Sequence, residues 1–168
     1  TSYGAFKGYA AGVGNNVSVG GNSLQALTTG AANTALGVLS AQALTTGCGN
    51  VAIGTGALAL ETTGGCSTAV GVCALNKSNG GACNTAVGAC AGVAITTGDV
   101  NTLYGILAGS SLTTGCFNTF LGHGAGAAVV GACCNVFVGG GAGCVATSGN
   151  SNTFIGDLAG CNVTTRSE

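Results

Sequence analysis

The chain is a tandem repeat of 17 residues that runs from Asn16 onward without an insertion. The pattern Asn-Thr-apolar-apolar-Gly begins nine times at this constant interval, at Asn16, Asn33, Asn50, Ser67, Asn84, Asn101, Asn118, Asn135 and Asn152. A short fixed period indicates a solenoid, in which each repeat forms one coil stacked on the last. We therefore predict an all-β fold, a single β-solenoid of about ten coils with parallel stacking. Residues 16–168 form nine coils, and residues 1–15 form a degenerate first coil that serves as a cap or a socket.

Residues at the same position of successive repeats form columns, numbered here from the Asn as column one. Neighbours in a column are expected to lie about 4.8 Å apart along the axis. Column four is always a large apolar residue, from Val19 to Ile155, and is predicted to face the inside of the coil. Column eight is Ser or Ala, which predicts a thin coil, and column five is always Gly, which predicts a bend. The Asn column predicts a ladder of side-chain amides.

Column three is also apolar, although it adjoins column four. Alternation along a strand then predicts that column three points outward. Its members change from Ala in the early coils to large side chains in the later ones, at Leu103, Phe120, Phe137 and Phe154. An outward apolar stripe of this kind predicts a self-association surface. The alternative is that a local twist turns column three into the core.

The repeat resembles a known family. The segments "NTAVG", "NTALG" and "NTFIG", each followed after a spacer by "TTG", resemble the 17-residue Asn-Thr-Ala-Ile-Gly repeats of trimeric adhesin heads and phage-type tail-fibre proteins. The resemblance spans residues 16–168. It implies a β-roll or β-solenoid, a homotrimer, and display outside the cell or on a virion surface as a spacer or as an attachment surface for a host ligand. It does not imply an enzyme.

The ten cysteines indicate an oxidising, extracellular setting, because they occur in a short chain with few charges. Eight of them share a column with a cysteine of the adjacent coil, at a spacing that a disulfide accepts. The predicted bridges are Cys66–Cys83, Cys73–Cys90, Cys116–Cys133 and Cys144–Cys161. Cys48 and Cys134 remain, too far apart to meet within one chain, and are candidates for an intermolecular disulfide. The alternative is a set of buried free thiols that pack as small apolar residues.

Several functional classes are disfavoured by the composition. Three basic residues cannot neutralise a run of phosphates, so no nucleic-acid partner is expected. The most apolar stretch, residues 122–146, is mostly Gly and Ala and is interrupted by His123 and Asn135, so no membrane insertion is expected. The four acids fall in unrelated columns, and no Cys-x-x-Cys spacing occurs. We expect a non-enzyme with no metal and no cofactor.

Two functions remain as hypotheses. The first is a structural subunit of an extracellular fibre or adhesin shaft that associates with itself, as a homotrimer, an end-to-end polymer or both. The regular last repeat predicts an open sheet edge, and Tyr3, Phe6 and Tyr9 predict a socket for a preceding subunit. The second is an ice-binding or other surface-binding solenoid. Its evidence is the Thr-Thr pair in columns thirteen and fourteen, at residues 28–29, 45–46, 62–63, 96–97, 113–114 and 164–165.

Overall fold

The computed structural model describes residues 14–162, and within this range the chain is a β-solenoid. Each repeat contributes one strand of three residues, at columns two to four. The strands are β1 (Val17–Val19), β2 (Thr34–Leu36), β3 (Val51–Ile53), β4 (Thr68–Val70), β5 (Thr85–Val87), β6 (Thr102–Tyr104), β7 (Thr119–Leu121), β8 (Val136–Val138) and β9 (Thr153–Ile155). They form one nine-stranded sheet in sequence order. The predicted fold class is confirmed.

Adjacent strands are parallel, and each residue pairs with the residue 17 positions later, as Val70 does with Val87. Hydrogen bonds between coils continue outside the strands. Leu58 N donates to Ala74 O at 3.1 Å, and Gly71 N donates to Ile53 O at 2.8 Å. Since these bonds join one coil to the next, the whole coil stacks in the register that the sheet sets. The socket predicted at Tyr3, Phe6 and Tyr9 lies outside the described residues.

The two apolar columns face the opposite way to the sequence prediction. Column three is buried, and Leu103, Phe120 and Phe137 are no more than 1% exposed. Column four points outward, where Tyr104 is 55% and Ile155 71% exposed. The prediction that column four fills the inside of the coil was therefore wrong. The self-association surface assigned to Leu103, Phe120, Phe137 and Phe154 was also wrong, because the first three are core residues and Phe154 packs against that core.

The volume of column three explains this orientation, because in all coils except the second and the fifth it is matched by the volume of column nine across the coil interior. In coils three and four an Ala of column three accompanies a buried Leu of column nine, as Ala69 accompanies Leu75. In the last three coils column three is Phe and column nine is Gly. A Cβ built on Gly143 would lie 2.5 Å from Cε2 of Phe137. One large and one small residue thus fill the same space in each of these coils, as close packing requires.

The three phenylalanines of column three form a continuous stack. Ring centroids are 4.9 Å apart between Phe120 and Phe137 and again between Phe137 and Phe154. The rings are nearly parallel, with interplanar angles of 11° and 16°. This arrangement follows from the stacking of coils, which places equivalent side chains at nearly the same interval as the strands.

The asparagine ladder forms as the sequence predicts, and it is buried. Asn101 Nδ2 donates to Asn84 Oδ1 at 3.0 Å and to Gly115 O at 2.8 Å, while Asn101 N donates to Asn84 Oδ1 at 2.9 Å. Ser67 interrupts the column of amides. Its backbone N donates to Asn50 Oδ1 at 3.0 Å, and its Oγ accepts from Asn84 N at 3.2 Å. A hydroxyl therefore replaces the amide oxygen as acceptor, and the buried polar column stays satisfied.

Glu61 is an exception in the buried column twelve, where most other coils have an aliphatic residue such as Leu44 or Leu112. Its carboxylate is only 1% exposed. Oε1 accepts from the backbone N of Thr62, Thr63, Gly64 and Gly80 at 2.6–3.1 Å. Oε2 accepts from the Ser78 hydroxyl of the next coil at 2.7 Å. Five donors thus compensate the burial of this charged group.

Candidate functional site

The outward surface of the sheet is the first candidate site. We call columns two and four of the nine strands the sheet face. Column two is Thr in six coils and Val in three, and column four is Val, Leu, Ile or Tyr throughout. The sheet face therefore carries no charged side chain. Single exposed apolar residues are ordinary, but a contiguous apolar patch marks an interaction surface.

The apolar surface continues past the glycine bend of column five into column six. Val38, Val72 and Ile106 are each at least half exposed there, beside the exposed Leu36 and Tyr104 of column four. Columns four and six together form an apolar band over coils two to six, and in the last three coils column six is His, Gly or Asp. This band is exposed, whereas column three is buried.

The Thr-Thr columns lie on another part of the coil, and column thirteen is used for stacking. The Thr45 hydroxyl donates to Thr62 O at 2.9 Å, and the Thr113 hydroxyl donates to Val130 O at 3.0 Å. The column fourteen neighbours Thr46 and Thr114 are exposed. The hydroxyls of the two columns therefore do not form one outward array. The pair at Thr164 and Thr165 lies outside the described residues.

The cysteines occupy two edges of the solenoid. Six of them lie in columns sixteen and seventeen, which we call the cysteine edge: Cys48, Cys66, Cys83, Cys116, Cys133 and Cys134. The other four lie in columns seven and ten, at a second edge: Cys73, Cys90, Cys144 and Cys161. These two columns adjoin, because Cys161 Sγ donates to Gly141 O at 3.1 Å. All ten are free thiols in the structure.

The four predicted bridges stay predictions, because no two cysteine sulfur atoms of the described residues lie at disulfide distance. The sulfur atoms of Cys144 and Cys161 lie 3.0 Å apart. Cys133 Sγ accepts from Cys116 N at 3.2 Å, so it already reaches the preceding coil. In column seven, Cys73 Sγ lies 3.5 Å from the position that a Cβ on Gly56 would take. Because the coils repeat, we expect Cys90 Sγ to lie in a similar relation to Cβ of Cys73.

The hydrogen bond with Cys161 and the burial of the thiol raise the pKa of Cys144, and the charge of Cys161 adds to this shift. Since the thiolate is the nucleophilic form, a raised pKa makes Cys144 a poor nucleophile at neutral pH. A structural thiol pair fits this environment better than a catalytic cysteine.

A groove with a volume of about 490 Å³ runs beside this thiol pair. It exists because Gly124, Gly140 and Gly141 leave no side chains there, and its lining also includes His123 and Asp157. Among the described residues neither of these two side chains hydrogen-bonds to the other, and no group of three His, Cys, Asp or Glu side chains could hold a metal ion. The groove therefore presents scattered polar groups without a convergent catalytic arrangement.

Comparisons with known proteins add no family assignment. A scan against protein-family models gives no match, and searches of curated proteins and of solved structures also find none. The part of the chain from 14 to 162 has no helix long and apolar enough to cross a membrane.

Sequence reasoning missed the sheet face because it placed column four inside the coil. The signal that could have found it is the opposite size change in columns three and nine between the early and late coils. Column four shows no such exchange with any column. When larger residues in one column accompany smaller residues in another, the two columns share a packed interior. An apolar column whose size changes are not matched in this way is free to lie on the surface.

Proposed function

We propose that this chain is a structural subunit of an extracellular fibre or adhesin shaft, and that it associates with itself through the sheet face. The observation that carries the proposal is the apolar band of columns four and six on an uncharged parallel sheet. Columns two and four carry no charge, and the charged residue of column six, Asp157, lies in the last coil. Most of this surface can therefore pack against a copy of itself without burying an unpaired ion. The chain has no enzymatic role in this proposal.

The dimensions of the band are consistent with this role. Nine strands at about 4.8 Å give a length of roughly 40 Å, and columns two to six span at most roughly 16 Å at about 3.3 Å per residue, since the chain bends at column five. One chain would then contribute at most about 640 Å² and two chains at most about 1,300 Å², at the lower end of the range of specific protein interfaces. The threonines of column two add hydroxyls at the rim of the contact.

The test is the assembly state of the reduced protein, so that no disulfide contributes. Leu121→Lys puts a charge in column four of the seventh coil, at a side chain that is already exposed. Sedimentation velocity and electron microscopy should show assemblies of the wild type that the variant loses, because the contact would bury an unpaired charge.

Thr114→Lys is the matched control, because it adds the same charge at an exposed position of column fourteen. It should assemble like the wild type. A reduced wild type that stays monomeric at high concentration, or a Leu121→Lys variant that assembles as well as the control, would contradict the proposal.

A second function is favoured by one observation, the regular threonines of column two. Thr68, Thr85, Thr102 and Thr119 are outward on four consecutive strands and pair in register. An array with this regularity suits a solenoid that binds ice or another ordered surface. Thermal hysteresis of a dilute solution is its measurement. A shaft should show none, and a hysteresis that Thr102→Lys abolishes would favour the surface-binding function.

A further inference from the structure

The cysteine edge contains two thiols that have no partner in their own columns. Cys48 is flanked in column sixteen by Ala31 and Gly65 of the adjacent coils, and its Sγ accepts from Ala31 N at 3.4 Å. Cys134 is flanked in column seventeen by Phe117 and Ser151. Both residues are exposed. They lie five coils apart, about 24 Å along the axis, so they cannot meet within one chain.

A twofold arrangement of two copies can bring these two thiols together. Cys48 belongs to coil two and Cys134 to coil seven. When two copies lie side by side with their cysteine edges together and their axes antiparallel, coil two of each faces coil seven of the other, and the twofold axis passes between coils four and five. Each copy then presents Cys48 to Cys134 of its partner, and two equivalent contacts form at once.

We propose that two copies of this chain form a closed antiparallel dimer through the cysteine edge, held by two disulfides, each joining Cys48 of one copy to Cys134 of the other. This proposal rests on the proposed extracellular function for its oxidising setting. Each bond replaces two S–H bonds by one S–S bond. The two electrons and two protons pass to dissolved oxygen, which is reduced to hydrogen peroxide.

The surface between the two bonds suits a contact between copies. Phe117 is 61% and Val100 45% exposed, and both project from column seventeen near the middle of the edge. In the antiparallel arrangement Phe117 of coil six faces Cys66 of coil three, and Val100 of coil five faces Cys83 of coil four. The only charge in these two columns among the described residues is Asp99, whose carboxylate accepts from Ala82 N at 2.7 Å.

Antiparallel pairing also differs in its consequences from a staggered parallel arrangement, which could join the same two thiols. A parallel stagger of five coils leaves one unused thiol on each outer copy and continues as a ladder of chains. The antiparallel contact uses both thiols of both copies and stops at two. Once the first bond has formed, the second is intramolecular and is favoured by its effective concentration.

The experiment is oxidation of the purified reduced chain in aerated buffer, followed by non-reducing electrophoresis and peptide mapping. A mixture of ¹⁴N- and ¹⁵N-labelled chains shows which bridges join two copies. We expect a dimer that does not grow further, with a mixed-isotope bridge between Cys48 and Cys134. Cys48→Ser and Cys134→Ser should each run as a covalent monomer in non-reducing electrophoresis after the same oxidation. The double variant Cys73→Ser and Cys90→Ser, altered only at the second edge, should dimerise normally.

Four results would overturn this dimer. They are a ladder of larger oligomers, homotypic Cys48–Cys48 or Cys134–Cys134 bridges, in-chain bridges from Cys48 to Cys66 or from Cys116 to Cys134, and a monomer in which both thiols stay free. The assembly of the reduced protein through the sheet face is measured separately. Loss of the disulfide dimer alone therefore leaves the proposed function standing, and loss of sheet-face assembly alone leaves the dimer standing.

Discussion

At the scale of single residues, the backbone of each coil enters positive φ at columns five, seven, nine and seventeen. In columns seven, nine and seventeen φ lies between 46° and 71°. L-residues enter this region at a cost of roughly 1–2 kcal/mol, and residues such as Leu58 and Val100 do so here. In column five φ lies between 126° and 139°, where only Gly is comfortable. Column five is therefore invariant within the chain, whereas the other three columns vary.

Gly88→Ala tests this distinction. A Cβ at Gly88 would lie 2.5 Å from Gly105 O of the next coil, in addition to the unfavourable φ of +135°. We expect a loss of more than about 3 kcal/mol in the free energy of unfolding, measured by denaturant titration with circular dichroism. Gly124→Ala is the control, since φ there is +63° and no atom lies within 4 Å of the added Cβ. It should cost about 1 kcal/mol, and equal losses in the two variants would contradict the argument.

Glu61 gives a second prediction, because its column otherwise favours Leu. Glu61→Leu should destabilise the protein by about 3 kcal/mol or more, since four backbone N–H groups and the Ser78 hydroxyl would lose their acceptor in a buried place. Glu61→Gln keeps the acceptor at Oε1 and can donate to the Ser78 hydroxyl, so it should cost about 1 kcal/mol. The order of the two midpoints in urea is the measurement. A Leu variant as stable as wild type would mean that the hydrogen bonds contribute little.

At the scale of the repeating element, the sequence was sufficient to predict the coil length, the parallel stacking and the asparagine ladder. Each depends only on the period and on residues that recur, such as Asn101 and Gly88. Alternation could not predict which of columns three and four faces the interior, because both columns are apolar. An apolar column points inward whichever of the two is chosen. What decides it is the interior volume shared by columns three and nine, which depends on residues that meet across the coil.

The positive-φ corners at columns seven and seventeen were also missed, since their residues include Leu107, Cys83 and Phe117 instead of glycine alone. A corner that is not always occupied by glycine is difficult to recognise in the sequence. For the cysteines, the predicted pairing follows from the columns, but their grouping into two edges requires the path of the coil. The sequence therefore predicts which thiols are neighbours and not which surface they share.

The exchange of volume between columns three and nine predicts a double-mutant cycle. Phe137→Ala should cost about 3–5 kcal/mol through the cavity it leaves. Gly143→Leu should also destabilise the protein, because its Cβ would lie 2.5 Å from Cε2 of Phe137. The double variant recreates the arrangement of Ala69 and Leu75 in coil four. Its loss should be smaller than the sum of the two single losses by at least about 2 kcal/mol.

Some destabilisation should remain in the double variant, because the ring stack from Phe120 to Phe154 is interrupted. Chemical denaturation of the four proteins in reducing buffer provides the cycle. Strictly additive losses would mean that the two columns do not share one space.

At the scale of the whole molecule, stability should depend on the redox state. Each predicted bridge closes a loop of one coil, which is worth about 3 kcal/mol in the chain-entropy model. We expect the melting temperature to fall when dithiothreitol is added to protein oxidised in air. The double variant Cys144→Ser and Cys161→Ser should respond less to the reductant than wild type. Equal melting temperatures with and without reductant would indicate that the thiols stay free.

The stacking of coils through hydrogen bonds that join one coil to the next has a mechanical consequence. A force that separates the two ends along the axis would load the bonds of one terminal coil at a time, so coils should peel off in sequence. One coil adds about 4.8 Å to the folded length but roughly 58 Å to the extended chain, at about 3.4 Å per residue. A reduced chain would thus lengthen about twelvefold per coil while dissipating energy at each step. Bridges between consecutive coils would shorten those steps, which would make the extensibility of the rod a property set by oxidation.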